Sequence, residues 1–577
     1  MNGGEIAARV IAAHGVDALF TLIGGHVSPI LVESKRRGIR VVDTRHEVNA
    51  VFAADAWARL KGIPGVAVVT AGPGVTNTIT AMRNALMAQS PLVLIGGATA
   101  TALRGRGSLQ DIDQIKLIRS NVKKAYRVSR VKDIAPSLNK AFAVAQSGVP
   151  GPVFVELPVD LLYDEKIVRE WYGESMPKGN SLSARAIRAY LKFHVNRLFG
   201  GLKNLQIPAP AAVPEPFISE NLVERLAKAL AKSERPLLLV GSQTLVRSQQ
   251  APKIRSAIES LAVPVYLSGM ARGLLGEKNP LQFRQKRKEA LREADLIILL
   301  GVPADFRLNY GAHISRRAYH INVNLDSKDL RKNKRPNLAA RVDPGTLLMK
   351  LAEKGVRADS GRLSAWKQTL AEREKSREGE IAKQASEKMK LINPVEFFVK
   401  AADVLAKKTI LVADGGDFVA TGAYIVRPGG PLTWLDPGVF GTLGVGAGFA
   451  LGAKVARPDH EVIILYGDGS AGYSIMEFDT FARHKLAVGA IIGNDACWTQ
   501  IYRDQKEFLK DDVACMLEYS HYDEVAKTFG GAGSTISKPA QIKTGLAALK
   551  KSLAKKQPYI LNVLIGRSEF RKGSISM

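Results

Sequence analysis

Two short stretches toward the carboxyl end carry the residues best suited to chemistry. Residues 461–474 read EVIILYGDGSAGYS, and residues 488–498 read VGAIIGNDACW. The first is an apolar run of the kind that forms a buried strand, and it ends abruptly in Gly-Asp-Gly. A parallel strand ending this way sets the Asp468 carboxylate at the carboxyl edge of its sheet, where such sheets bind ligands. Glycines there let backbone N–H groups approach phosphate oxygens. Asp468 alone is a weak signal, because Asp-Gly is also an ordinary turn. Asn494 strengthens it, since one helical stretch and one strand-like run separate the two and return the chain to the same edge. Asp and Asn oxygens together suit Mg²⁺, a hard cation that keeps water and diphosphate oxygens as its remaining ligands. Gly493 stands immediately before Asn494. Two further titratable residues lie at element ends. Glu47 opens the helical stretch EVNAVFAADAWARLKG (47–62), where the helix dipole alone also favours a carboxylate. His26 lies in IGGHVSPI and is either available for proton work near neutral pH or a solvent-facing loop histidine.

The elements that must position these residues follow from periodicity. ALFTLI (18–23), GVAVVTAG (65–72), PLVLIGG (91–97) and GPVFVELP (151–158) are short, β-rich and nearly continuously apolar, and helical stretches separate them. That is a βαβ succession over a parallel sheet covered on both faces. PLLLVG (236–241), VPVYLSGM (263–270), ADLIILLG (294–301) and HINVNLD (320–326) form a second set, and KTILVADGGD (408–417), EVIILYGDG (461–469), VGAIIGND (488–495) and PYILNVLIG (558–566) a third. The expected fold class is α/β: three doubly wound, mainly parallel-sheet domains, read as one α/β unit used three times. The boundaries fall at 1–165, a linker at 166–217, 218–350, a charged helical linker at 351–391 and 392–577.

Composition sets the outer limits. A chain of 577 residues is too long for one core and suggests about three or four domains of roughly 150 residues. A hydrophobic fraction of 46% with 52 glycines fits a folded α/β protein rather than a disordered chain. No apolar run approaches the roughly 18–20 residues needed to span a bilayer, and MNGGEIAARVIAAHGV reads as an amphipathic helix without signal-peptide or transit features. Cys497 and Cys515 are the only cysteines, which excludes a disulfide framework or cysteine zinc site and favours a reducing compartment. The balance of 82 Lys+Arg against 54 Asp+Glu gives +28, a field that draws nucleic acid, anionic lipid or a phosphate-bearing substrate. No zinc finger, RNP motif or basic region with heptads is present, so no nucleic-acid partner is expected. KKAYRVSRVK (123–132) and RKNKR (331–335) read as solvated surface. In the first linker, SLSARAIRAYLKFHVNRLFGGLKNL (181–205) sets Ile187, Tyr190, Leu191, Val195 and Leu198 at helical spacing, with Arg185, Arg188, Lys192 and Arg197 on the polar side. It is either a helix packed on its own protein or a peripheral contact with an anionic membrane surface. IPAPAAVPEP (207–216) is a stiff spacer.

The GDG turn with Asn494, TRHEVNAVFAADAWARLKG with TAGPGVTN, and LDPGVFGTLGVGAGFALGA (435–453) resemble the thiamine-diphosphate-dependent enzyme family over nearly the whole chain. GGHVSPI, VVDTRHEV, GMARGLLG, DGGDFV, GNDACWTQI and IGRSEFRKGSI are most similar to its branch of acetolactate synthase-like proteins and 2-hydroxyacyl-CoA lyases. The resemblance implies a pyrimidine-binding first domain, a central domain of CoA/ADP or FAD type, and a third domain that binds diphosphate and Mg²⁺. It implies that Glu47 hydrogen-bonds N1′ of the aminopyrimidine and so promotes loss of the thiazolium proton. Leu443 takes the position that wedges between the cofactor's rings, with Gly441 C=O and Leu443 N–H on the aminopyrimidine. Asp468, Asn494 and the backbone carbonyl of Ala496 would ligate Mg²⁺, and Gly469 and Ser470 would touch diphosphate. Asp417, in DGGDFV, falls at the other phosphate loop, where an acid beside an anion departs from the family pattern. Gly493 replaces the first residue of the family's Asn pair, and Asn494 keeps the one that carries the metal contact.

The same branch implies cleavage of a 2-hydroxyacyl-CoA to a one-carbon-shorter aldehyde and formyl-CoA. The alternatives are an acetolactate synthase-type 2-oxo acid decarboxylase or carboligase and a non-catalytic cofactor-binding paralogue. His26 is the candidate for proton work at the substrate hydroxyl, and Gln110, in SLQDIDQ, matches a glutamine that lines the active site. Trp498 and Gln500 could shape the acyl channel, and the tail EFRKGSISM (569–577) could close over the site. Arg272 and Arg307 stand at two strand ends of the central domain, where guanidinium forks suit CoA phosphates, with FAD or ADP as rival ligands. Active sites between subunits imply a homodimer or homotetramer. The resemblance also implies association with the endoplasmic reticulum membrane, and a cytoplasmic location otherwise. The chain starts almost at its first domain, so either Met1 is not the natural start or the protein is soluble or peripheral. The terminal Ile-Ser-Met is not a peroxisomal address.

Overall fold

Among the described residues there are three six-stranded sheets, and every strand in them runs parallel to its neighbours. The computed structural model describes residues 1–174, 177, 181–202, 205–214, 216–406 and 408–573. They divide into two compact units, Met1–Arg59 with Ile63–Pro214, and Leu60–Gly62 with Glu215–Met577. The first unit holds one sheet and the second holds two. The central strands are the apolar runs of the sequence. Leu92–Ala98, Pro152–Pro158, Thr409–Asp414 and Val488–Asn494 are buried along their whole length, as expected where helices cover both faces.

Counting strands from the first in each sheet, the first and third sheets share the spatial order 2-1-3-4-6-5, whereas the second runs 6-5-4-1-2-3. The reading of one unit used three times is therefore corrected: two sheets repeat one topology and the middle one has the dinucleotide-fold order. Apolar runs specify that strands exist. The connections between them specify order, and those connections look alike in sequence.

The linker helix spans Leu182–Phe199, with the Ser181 side chain accepting from Ala184 N–H at its start. Its buried residues are Ala184, Val195, Leu198 and Phe199. Ile187 and Tyr190, expected on the inner face, are 47% and 54% exposed, because the helix packs on the turn Val131–Asp133 through a stripe rotated from the most hydrophobic one. Residues 203–204 of that segment and 574–577 of the tail lie outside the described residues. Among the described residues, no helix is long and apolar enough to cross a membrane.

Candidate active site

Three strand ends of the first sheet bring one group of residues together. Strand Ala18–Leu22 leads to His26, Gly65–Val69 leads to the TAGPGVTN turn, and Leu92–Ala98 leads to the loop holding Gln110. His26 Nδ1 lies 3.0 Å from Thr70 Oγ1, and a Cβ at Gly97 would fall 2.6 Å from His26 Cβ. Burial lowers the His26 pKa, which keeps the ring neutral near pH 7. Glu47 begins helix Glu47–Lys61 and is 7% exposed, and Asn77 Nδ2 donates to its Oε2 at 2.9 Å. Gly72 has φ +58 and packs so closely on Gln110 that a Cβ would come within 2.8 Å of it. Gln110 itself has φ +64 and is half-buried.

The residue that organises this edge is Gln114, which the sequence reading passed over. It is buried, its Oε1 accepts from Gly72 N–H at 2.8 Å, and its Nε2 donates to Gly97 O and to Glu156 Oε2. Glu156, 1% exposed, also accepts from Arg104 and Arg127. The available signal was the second glutamine in SLQDIDQ. Helix Gln114–Ile118 starts there, capped by Asp113.

The third sheet gathers the other group in the same way. Asp468 follows strand Glu461–Gly467 and is 4% exposed; its Oδ1 accepts from Gly469 N–H and its Oδ2 from Cys497 N–H. Asn494 ends strand Val488–Asn494, fully buried. Its Nδ2 is committed to Ser520 O and Asn562 Oδ1, and that fixes the amide so that Oδ1 faces the Ala496 turn, which it meets at 3.3 Å. Ala496 has φ +51 and its carbonyl accepts from Leu517 N–H, leaving one lone pair. Burial raises the Asp468 pKa. Asp495, another residue the sequence reading missed, is pushed up to about 7 by burial and then by Asp468. The buried Asp468 carboxylate, the oriented Asn494 amide oxygen and the free lone pair of the Ala496 carbonyl are an all-oxygen donor set that fits a hard divalent cation. Among the described residues no group of three His, Cys, Asp or Glu could hold a metal ion.

Ser470 donates to Gly467 O and to Asp414 O, so the turn after the strand is tied to its neighbour. Trp498 lies flat against Gly469, where a Cβ would be 2.5 Å from the indole, and Gln500 lies over Gly416 at 2.8 Å by the same measure. Asp417 is held by Arg503 Nη2 at 3.0 Å, and the same nitrogen reaches Ser568 O. The acid that departs from the family pattern is thus ion-paired. Gly441 is exposed with φ +66 and Leu443 is half-buried, so neither belongs to the closed core. Their turn is fixed by Asp414, which accepts from Gly444 N–H and Gly446 N–H.

The second unit also contains a cavity of about 500 Å³ between the central sheet and helix Asp417–Ile425, lined by five arginines and two lysines against a single acid, Glu289. Arg272 and Arg284 line it while donating to carbonyls at the end of that helix. The Arg284 pKa is pushed down to about 9 by burial and by the neighbouring cations Arg272 and Arg427. Arg307 does not line the cavity; its guanidinium forks onto Asp305 at 3.0 and 2.7 Å. Arg284, Lys286 and Arg287, which do line it, sit in QFRQKRK, a stretch without a recognisable pattern.

Comparison with known proteins places these geometries in context. Residues 1–117 match the description "Thiamine pyrophosphate enzyme, N-terminal TPP binding domain", residues 223–351 its central domain and residues 414–563 its C-terminal TPP binding domain. A protein described as "2-hydroxyacyl-CoA lyase 2" from Danio rerio is 48% identical, covering 100% of this chain and 93% of the relative. One of the same description from Homo sapiens is 47% identical over 100% and 92%. A "Probable acetolactate synthase" from Mycobacterium bovis is 33% identical over 98% and 96%.

Proposed function

This chain belongs to the thiamine pyrophosphate enzyme family, and on that premise we propose that it is a carbon–carbon lyase acting on 2-hydroxyacyl-CoA, releasing a one-carbon-shorter aldehyde and formyl-CoA. The observation that carries the substrate class is the full-length likeness to proteins described as 2-hydroxyacyl-CoA lyase 2, at nearly half of all positions against a third for acetolactate synthase. The cationic cavity agrees with it, since CoA carries its charge as phosphates.

Bound thiamine diphosphate supplies a nucleophilic thiazolium carbon and an electron sink for the bond that breaks. In this reading Glu47, steadied by Asn77, holds a proton at N1′ of the aminopyrimidine, and Gly441 C=O and Leu443 N–H hold the same ring. Leu443 sets an apolar side chain against the cofactor. Asp468, Asn494 Oδ1 and Ala496 C=O hold Mg²⁺, and Gly469 and Ser470 contact the diphosphate, with Asp417 kept off it by Arg503. His26, neutral near pH 7, takes the proton of the substrate hydroxyl, with Gln110 beside Gly72 lining the approach. Trp498 and Gln500 shape the acyl channel. CoA phosphates pair with Arg272 and the other cavity cations, and Arg307 joins them only by leaving Asp305. FAD or ADP is the rival ligand for the central domain. A homodimer or homotetramer, closure by the tail and association with the endoplasmic reticulum belong to the same reading.

Incubation of a 2-hydroxyacyl-CoA with protein, thiamine diphosphate and Mg²⁺ should yield fatty aldehyde and formyl-CoA, and Glu47→Gln should lower kcat by about 10²–10⁴-fold. Acetolactate from pyruvate in a parallel assay, with no aldehyde from the thioester, overturns the lyase reading. Unchanged turnover in Glu47→Gln overturns the role given to that carboxyl. Titration with CoA, ADP and FAD identifies the cavity's ligand.

A further inference from the structure

Helix Leu182–Phe199 has an apolar side that its own packing does not use. The inner face is Ala184, Val195, Leu198 and Phe199. On the opposite side Leu182, Ala186, Ala189 and Phe193 recur at steps of four, three and four residues, the spacing that lines side chains up along one face. All four are exposed, Leu182 at 85% and Phe193 at 67%, and Tyr190 beside them is exposed as well. Arg185 and Lys192 flank this stripe on one side and Arg197 on the other, each exposed. The helix contains no Asp or Glu to neutralise them within a turn.

The helix is hydrogen-bonded to its neighbours in the first unit. His194 Nε2 lies 2.8 Å from Thr101 Oγ1, whose hydroxyl bonds Asp160, and Asn196 Oδ1 accepts from Arg169 at 2.8 Å. The helix packs on the turn Val131–Asp133 and on helix Glu165–Glu174.

We propose that this outer face docks on the surface of an anionic lipid bilayer. Leu182, Tyr190 and Phe193 enter the boundary between headgroups and acyl chains, while Arg185, Lys192 and Arg197 pair with lipid anions. The charge pattern selects this occupant. A second copy of the helix would lay Arg185 and Lys192 against their own kind along a self-complementary stripe, and like charges across such a contact repel. The net +28 adds long-range attraction toward an anionic surface. Because the helix is already formed, docking orders little additional chain. The inference is independent of the reaction proposed above, since none of these side chains enters the candidate site.

The test is sedimentation of the full chain with phosphatidylcholine vesicles, with and without phosphatidylserine, at low and high salt. Binding should require phosphatidylserine and weaken with salt. Arg185→Gln with Lys192→Gln should weaken it roughly 25-fold, about fivefold per charge removed. Leu182→Ser with Phe193→Ser should weaken it too, and an unchanged thermal midpoint in both pairs confirms an intact fold. Failure to bind phosphatidylserine vesicles, or binding that both pairs leave untouched, overturns the proposal. So does a drop in oligomer size by light scattering in the Ser pair with vesicle binding retained, which would mean that another copy covers this face.

Discussion

Gly493 stands where the family pattern has the first of two asparagines, and a Cβ built on it falls 2.2 Å from Phe418 Cγ. The ring cannot swing aside, because its centroid lies 4.5 Å from that of Phe398 and 5.9 Å from that of Phe397, inside a closed aromatic cluster. The glycine is therefore the counterpart of Phe418, and the exchange leaves Asn494 untouched. Gly493→Asn, which restores the usual pair, should destabilise the protein by about 1–3 kcal/mol through overpacking, and Gly493→Asn with Phe418→Ala should recover part of that loss. Urea unfolding of the two variants checks this, and a Gly493→Asn protein as stable as the parent would show that the ring yields. The sequence made the gap at 493 visible but not its filler, because Phe418 belongs to a different strand end and only packing joins them. The two glutamines of SLQDIDQ teach the same thing. Resemblance singled out Gln110, whereas the buried one that bonds Gly72, Gly97 and Glu156 is Gln114, and burial cannot be read from two identical side chains four residues apart in a loop.

At the scale of elements, the strands that periodicity missed were Arg40–Asp43, Lys124–Arg127, Gln282–Phe283, Leu338–Ala340, Trp434–Leu435 and Ala532–Ile536. Every one is a sheet edge, two per sheet, short and in most cases only partly buried. Edge strands have one paired side, so they need neither length nor a continuous apolar run, and charge on them blocks unwanted pairing. The inner strands were legible because burial on both faces leaves almost no polar choice. Asp414 is the exception that matters, a carboxylate at the end of the fully buried strand Thr409–Asp414. Its side chain accepts from Gly444 N–H and Gly446 N–H at the start of helix Val445–Ala456, and its own carbonyl accepts from Ser470. One residue thus ties the Leu443 turn to the GDG turn. Gly444 has φ +88 and a Cβ there would lie 2.9 Å from Tyr473, so the turn tolerates no other residue. Burial pushes the Asp414 pKa up to about 7 against the pull of the two N–H donors. A raised carboxylate pKa means the folded state holds the proton more tightly than the unfolded chain. Its contribution to stability is complete below about pH 4 and is lost as pH rises through about 7. The thermal midpoint of the cofactor-free protein should therefore fall between about pH 5 and about pH 8, and Asp414→Asn, which has no proton to lose, should flatten that slope. Asp495, also raised to about 7, contributes with the same sign, so part of the slope persists. Parallel slopes in the two proteins would mean that Asp414 is ionised throughout.

For the whole molecule, the two halves of the proposed site lie in different compact units, Glu47 with Gln114 in one and Asp468 with Asn494 in the other. The first and third sheets share one strand order, and each presents its candidate residues at its carboxyl edge. If a working site joins the Glu47 half of one chain to the Asp468 half of another, the two halves can be inactivated on separate chains and recombined. Glu47→Gln and Asp468→Asn chains would each be inactive alone. In a mixed dimer, one interface carries both lesions and the other carries neither. With random pairing, half of the dimers are mixed and each has one intact site of two, so the unsorted coexpressed mixture should show roughly a quarter of the parental activity and the doubly purified mixed dimers roughly half. Sites built within a single chain predict a different result, because every site in every dimer then carries one lesion and mixing restores nothing. The measurement is lyase turnover of the coexpressed, separately tagged and doubly purified species, with binding of Mg²⁺ and thiamine diphosphate as a second readout, since the intact interface should bind both and the doubly altered one neither. A double mutant carrying both substitutions on one chain, mixed with the parent, supplies the control: its mixed dimers should keep no intact site if sites lie between chains and one intact site if they do not.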